Sequence, residues 1–136
     1  MIQISNNFSL EELTASTAAA NLKIDNTPPK EAVVNLVLLT ENVLQPLRDR
    51  YGKAIFVSSG YRCPKLNGII GGAFNSQHMT GEAADITAGN PTANRDLFNL
   101  VQKSGIPFDQ LIDESNYQWI HVSFGKVKNR KQVLHL

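Results

Sequence analysis

The sequence has one cysteine, Cys63. A lone cysteine excludes an intrachain disulfide and a cysteine-rich zinc knuckle. In YRCPKLN it stands beside a proline, where a small residue serves a turn, and nothing adjacent in sequence resembles an activated-thiol environment. A surplus of either charge is missing too. Thirteen Lys and Arg against twelve Asp and Glu leave a formal charge of +1, which gives no support to a nucleic-acid groove or an acidic partner. The one basic cluster, Lys126, Lys128, Arg130 and Lys131, reads as a solvated C-terminal tail over 126–136. No apolar run approaches the ~18 residues of a membrane span. The opening MIQISNNFSLEEL has no basic segment followed by an apolar one, so no ordinary signal peptide is expected. Repeats and low-complexity segments are absent.

What is present is a globular mixture, 42% hydrophobic and 18% charged over 136 residues. That length predicts a single domain with its own core, with residues 1–8 as an N-terminal extension. Ser9 followed by Glu12 fits a capping box, with Asn7 a competing cap. The segment TPPKEAVVNLVLLTENVLQPLRDRYG is the strongest helix, capped by Thr27 and closed by Gly52. Val33, Leu36, Val37, Thr40, Val43, Leu44 and Leu47 follow a 3.6-residue period, and Pro46 predicts a late kink or break. AIFVSS reads as a short strand, PKLNGIIGGAF as a short helix ending at Gly71–Gly72, and AADITA as a strand. TANRDLFNLVQKSG is a second amphipathic helix, with Leu97, Leu100 and Val101 inward and Gly105 as its stop. FDQLIDE and QWIHVSF alternate as strands around the turn-like SNY. Helices first and strands later predict an α+β fold, a small antiparallel sheet packed with N-terminal helices.

Chemistry concentrates in SQHMTGEAADI. His78 and Asp85 flank a flexible Gly81 and the small Ala83 and Ala84. A wet loop has no need of two alanines, and a core strand has no use for an aspartate. Of the three histidines, His135 is penultimate and expected to fray. His121 shares a strand face with Trp119 and Ser123, opposite Ile120, Val122 and Phe124. Two neutral imidazoles and a carboxylate are ligands of a catalytic zinc, which keeps three protein donors and one open position. Gly81 lets the chain bend, Ala83 and Ala84 let strands approach without bulk, and His121 arrives from a neighbouring strand. The spacing of His78 and Asp85 is by itself a moderate signal, and such a site also accepts other divalent ions.

SGYRCPKLN, SQHMTGEAADI and WIHVSF, in that order, resemble the zinc D-alanyl-D-alanine carboxypeptidase family, peptidase family M15 of the hedgehog/DD-peptidase fold, and in particular its small phage and prophage members. The likeness runs from NFSLEEL to WIHVSFG. Its specific part is Ser76, His78, Gly81, Ala83 and Asp85, followed by Trp119 and His121. The resemblance implies zinc on His78, Asp85 and His121. It implies that Arg62 holds a peptide carboxylate, a carbonyl or the oxyanion, a target that suits the guanidinium fork; the plainer alternative is an ion pair tying the GYR turn to the sheet.

The sequence departs from the pattern at the general base. Several relatives carry an acid three residues before the second histidine, where this chain has Gln118, which cannot take a proton from water. Glu114 is the substitute, since it ends a strand expected to pair with that of His121. Asp113 is the runner-up, although strand alternation turns it away if Glu114 faces in. Asp109 is a further candidate base, and reads first as a buried group that orients a ligand or Arg62. Ser76 is expected to fix the His78 loop rather than act as a nucleophile, there being no G-x-S-x-G elbow. Tyr61 and Trp119 are expected to wall the cleft or to serve as core or rim aromatics.

The resemblance implies a zinc metallopeptidase that cleaves D-amino-acid bonds in peptidoglycan stem peptides, as a D,D-carboxypeptidase or an endopeptidase. A monomer is expected. The balanced charge and the lack of an apolar span argue against nucleic-acid and membrane partners. The small size and missing signal peptide fit a protein made in the cytoplasm and delivered to the cell wall in a phage setting. The rival reading is a non-catalytic zinc-containing wall-binding or phage structural module on the same fold, with Gln118 as its support.

Overall fold

Ser9 caps the first helix as its spacing to Glu12 predicts, accepting the Glu12 N–H at 3.2 Å, one of the donors that a helix start leaves without a partner. The computed structural model describes all 136 residues. It begins with α1 (Leu10–Thr14) and α2 (Thr17–Leu22), the latter capped by Ser16. Asn7, the competing cap, instead accepts from Gln45. Residues 1–8 are not a loose extension. Phe8 is 1% exposed in the core, Ile4 packs against it, and Gln3 bridges to Ser9.

The long helical run starts at α3 (Lys30–Leu39), with Pro29 at its N-cap. Thr27 is not the cap, because its hydroxyl is bound to Asp25 at 2.6 Å. The buried stripe is Ala32, Leu36, Leu39, Thr40, Val43, Leu44 and Leu47, while Val33 and Val37 are half-buried. Pro46 leaves no break. It has no N–H for the carbonyl four residues back. A π-helical turn, Thr40–Leu44, absorbs the mismatch one turn earlier: the Gln45 N–H reaches back five residues to the Thr40 carbonyl. The chain then continues as α4 (Gln45–Tyr51), which Gly52 ends at φ 74°.

The remaining elements are β1 (Phe56–Ser59), α5 (Pro64–Ile69), a 3₁₀ turn (Gln77–Thr80), β2 (Ala83–Thr87), α6 (Pro91–Lys103), β3 (Gln110–Glu114), β4 (Trp119–Ser123) and β5 (Gln132–His135). Asn90 caps α6 by accepting the Ala93 N–H. Leu97, Phe98 and Val101 are buried, and Leu100 packs half-buried against them. The sheet order is β1-β2-β4-β3-β5. Four strands pair antiparallel, and β5 joins β3 in parallel.

The fold is α+β, as predicted, with a mixed edge. That edge corrects the expected tail: within 126–136, residues 132–135 form a strand, and Arg130 is paired with Asp109. His135 does not fray, since its Nδ1 meets the Asp113 carboxylate.

One face of the sheet carries Ala84, Ile86, Leu111, Ile120 and Val122 into the core beneath α3, α4 and α6. Fully buried side chains such as Leu36, Leu97 and Phe98 each contribute about 1.5–3 kcal/mol of transfer free energy. Strand alternation sends Asp85, Ile112, Glu114, Trp119 and His121 to the opposite face.

Candidate metal centre

Asp85 and His121 are register partners across β2 and β4, so their side chains leave the sheet together. His121 Nδ1 lies 3.0 Å from Asp85 Oδ1, and His78 Nε2 lies 3.3 Å from the same oxygen. The two imidazole rings meet edge to face at 5.1 Å. One ligand atom from each of His78, Asp85 and His121 lies within 4.8 Å of the other two. Tetrahedral coordination with bonds of about 2.0–2.2 Å places donors roughly 3.4 Å apart, so the observed separations need only small adjustment.

His78 arrives from the 3₁₀ turn, and Gly81 makes its approach possible. Gly81 has φ 77°, and a Cβ there would stand 2.3 Å from the Ala32 carbonyl oxygen. Both the turn and its contact with α3 therefore require glycine. Ser76 accepts the His78 N–H, which fixes the loop in the manner its position predicts. The His78 ring is 2% exposed, with Nδ1 2.7 Å from the Gly60 carbonyl oxygen. A carbonyl only accepts, so Nδ1 carries a proton and Nε2 is the ring atom left to face Asp85. Such a carbonyl partner is characteristic of metal-bound histidines. Gly60 can stand there because it has no side chain: a Cβ would fall 2.1 Å from the Leu13 carbonyl oxygen.

Burial works against the Asp85 charge. Hydrogen bonds from His121 and His78 outweigh it and hold the carboxyl well below the usual carboxylate range. Two imidazoles and an ionised carboxylate, with a cleft on the fourth side, are a donor set that fits zinc.

That cleft encloses about 400 Å³ and brings Arg62, Ser76, Glu114 and Trp119 to His78, Asp85 and His121. Burial pushes the Arg62 guanidinium down and Asp85 pushes it up; it remains a cation. Its Nε is buried without a partner, and the side chain lines the cleft. An ion pair tying Arg62 to the sheet is not formed. Burial, reinforced by the negative field of Asp85, raises the Glu114 carboxyl above its ordinary value. The turn behind it is strained: Ser115, Asn116 and Tyr117 all have positive φ, at 50°, 56° and 66°. Asn94 clamps it, its Nδ2 donating to the Tyr117 and Gln118 carbonyls at 2.9 and 3.2 Å.

Three expected residues fall elsewhere. Tyr61 is 3% exposed in the core and does not wall the cleft. Asp113 faces away from Glu114, buried against His135. Asp109 orients Arg130 and Gln77, not Arg62. Gln118 is exposed and outside the cleft. A separate hollow of about 480 Å³ between Glu31 and Lys128 contains no metal-ligating cluster. The Gly60 carbonyl and the Gln77–Asp109 bond escape sequence reasoning because each depends on tertiary placement; the small run before Tyr61 is the only trace of the first.

The family described as Peptidase M15 matches residues 6–123. A stretch of 54 residues is 46% identical to the zinc D-Ala-D-Ala carboxypeptidase of Streptomyces albus G, covering 39% of this chain and 21% of that protein. The match thus spans about a fifth of the length of that relative. With the family pattern running through both strands that carry Asp85 and His121, the chain belongs to the Peptidase M15 family.

Proposed function

We propose that the protein is a zinc-dependent peptidase that cleaves D-amino-acid-containing bonds in the stem peptides of bacterial peptidoglycan. The observation that carries this reading is the convergence of His78, Asp85 and His121 on one point, in a cleft that also holds Glu114 and Arg62. The D-alanine substrate named for the Streptomyces relative supports the substrate class.

Zinc bound to His78, Asp85 and His121 would lower the pKa of a coordinated water toward ~7 and polarise the carbonyl under attack. Glu114 takes the proton from the attacking water, and its raised affinity for protons suits that exchange. As water oxygen bonds to the carbonyl carbon, negative charge grows on the carbonyl oxygen, and the Arg62 guanidinium is the cation in the cleft to meet it. The C–N bond then breaks, and Glu114 returns its proton to the leaving amine. Ser76 keeps the His78 loop in place, and Trp119 forms an apolar wall.

Purified peptidoglycan sacculi provide the test. Incubation with the protein is expected to release new amino groups, to stop with a chelator, and to resume with added zinc. Sacculi left intact by zinc-loaded protein would overturn the reading in favour of a non-catalytic wall-binding module.

A further inference from the structure

The family match ends at residue 123, so β5 lies beyond it. This strand nevertheless reaches the site. Alternation sends Val133 to the core and leaves Leu134 beside its register partner Ile112, on the face that carries Glu114 and His121. Ile112 and Leu134 form the apolar floor of a hollow of about 490 Å³. Its other wall is the 73–77 segment, and it shares Ala73, Ser76, Glu114 and His121 with the cleft. The two are therefore one trough that passes the metal centre.

The rim of this hollow is polar, with Asn75, Gln77, Gln110 and Arg130. Gln77 is half satisfied. Its Nε2 donates to Asp109 at 2.9 Å, while its Oε1 is buried with no partner. An apolar floor beside a polar rim matches an extended peptide, which offers backbone polar groups and side chains alternately.

We propose that this hollow is a subsite for an extended arm of the substrate peptide, several residues from the cleaved bond, with its aliphatic part on Ile112 and Leu134 and its backbone along the polar rim. The inference rests on the peptidase reading above. The occupant is the substrate itself because Glu114 and His121 line both the hollow and the cleft. The consequence is selection for length: a short peptide fills the cleft alone, and a longer one gains the floor that β5 builds.

The test compares the zinc-loaded full chain with its Leu134→Asn and Leu134→Met variants on two probes, the pentapeptide L-Ala-D-Glu-L-Lys-D-Ala-D-Ala and diacetyl-L-Lys-D-Ala-D-Ala. Leu134→Asn is expected to lower kcat/KM for the pentapeptide roughly tenfold, the scale of a lost apolar contact. The short probe and the zinc content should be unchanged, and Leu134→Met should keep the wild-type preference. Equal losses on both probes, or none on either, overturn the subsite. Calorimetric titration of the same probes reads it independently of turnover. If wild type hydrolyses neither, the peptidase reading fails by itself, and the subsite still stands or falls on whether Leu134→Asn weakens binding of the pentapeptide alone.

Discussion

Asp85 and His121 face each other across β2 and β4, with Oδ1 and Nδ1 3.0 Å apart. The sheet register sets this pair, and a one-residue slip of either strand would send its own group to the core face and leave the other without its partner. The pair is thus as rigid as the backbone pairing, and Ala83 and Ala84, both fully buried, lie on β2, an interior strand of the sheet.

Asp85→Asn tests the centre directly. The amide keeps the volume and removes the carboxylate that would serve as the third donor. Zinc retained after dialysis is expected to fall from about one equivalent per chain to close to none, as read by elemental analysis. Full retention of zinc by this variant would exclude Asp85 as a ligand.

Glu114→Gln separates proton transfer from binding. The substitution leaves the three ligands intact, so zinc content and KM should hold while kcat falls by about 10²–10⁴. Gln118→Ala is the control, because that side chain is exposed and outside the cleft. Steady-state kinetics on a stem peptide decide the matter: a loss confined to Gln118→Ala would move the base away from Glu114.

Sequence patterns revealed this site better than they revealed its surroundings. His78, Asp85 and His121 were legible because metal chemistry restricts which residues serve and alternation fixes their faces. Glu114 and Asp113 were separable by the same period of two. Tyr61 was not, since an aromatic beside a functional arginine reads equally well as core or wall, and only the packing of α1 against β1 decides for the core. The C-terminal strand was hidden by its composition. Lys126, Lys128 and Lys131 are exposed, and the same charges that suggest a solvated tail conceal Arg130, whose partner Asp109 is twenty-one residues away. The π-helical turn escaped for a related reason: Pro46 announces a disturbance but not where the helix absorbs it.

Gly72→Ala probes how the cleft holds Arg62. A Cβ at this position would lie 2.0 Å from Asn67 Oδ1 and 3.1 Å from Arg62 Nη1. Asn67 is 3% exposed and donates to the Ala73 carbonyl at 2.9 Å, so it cannot swing away freely and the displacement passes to the guanidinium. Misplacing a transition-state donor by about 1 Å costs up to ~10²-fold in rate. The variant should therefore lose kcat while keeping its zinc. Unchanged kcat with a lowered melting temperature would show that Gly72 serves only the loop.

The attachment of β5 is expected to depend on pH through Asp109. Arg130 donates to this carboxylate from its backbone N–H, from Nε at 2.9 Å and from Nη2 at 2.8 Å, and Gln77 adds a fourth bond. The Arg130 side-chain bonds lead; burial opposes them, yet the carboxyl is held down to about 2. A folded-state value below the unfolded ~3.9 means that the unfolded chain binds the proton more readily. The stabilisation is therefore complete above about pH 4 and lost as pH falls through 4 to 2. Its size is about 1–2 kcal/mol, reduced from the full shift because half of the Arg130 side chain is in water, at 49% exposure. Urea unfolding of wild type and Asp109→Asn should show that gap at pH 7 and a smaller one at pH 3. A gap that stays constant across this range would mean that Asp109 acts by hydrogen-bond geometry alone, with its charge contributing nothing to the seam between β5 and the rest of the sheet.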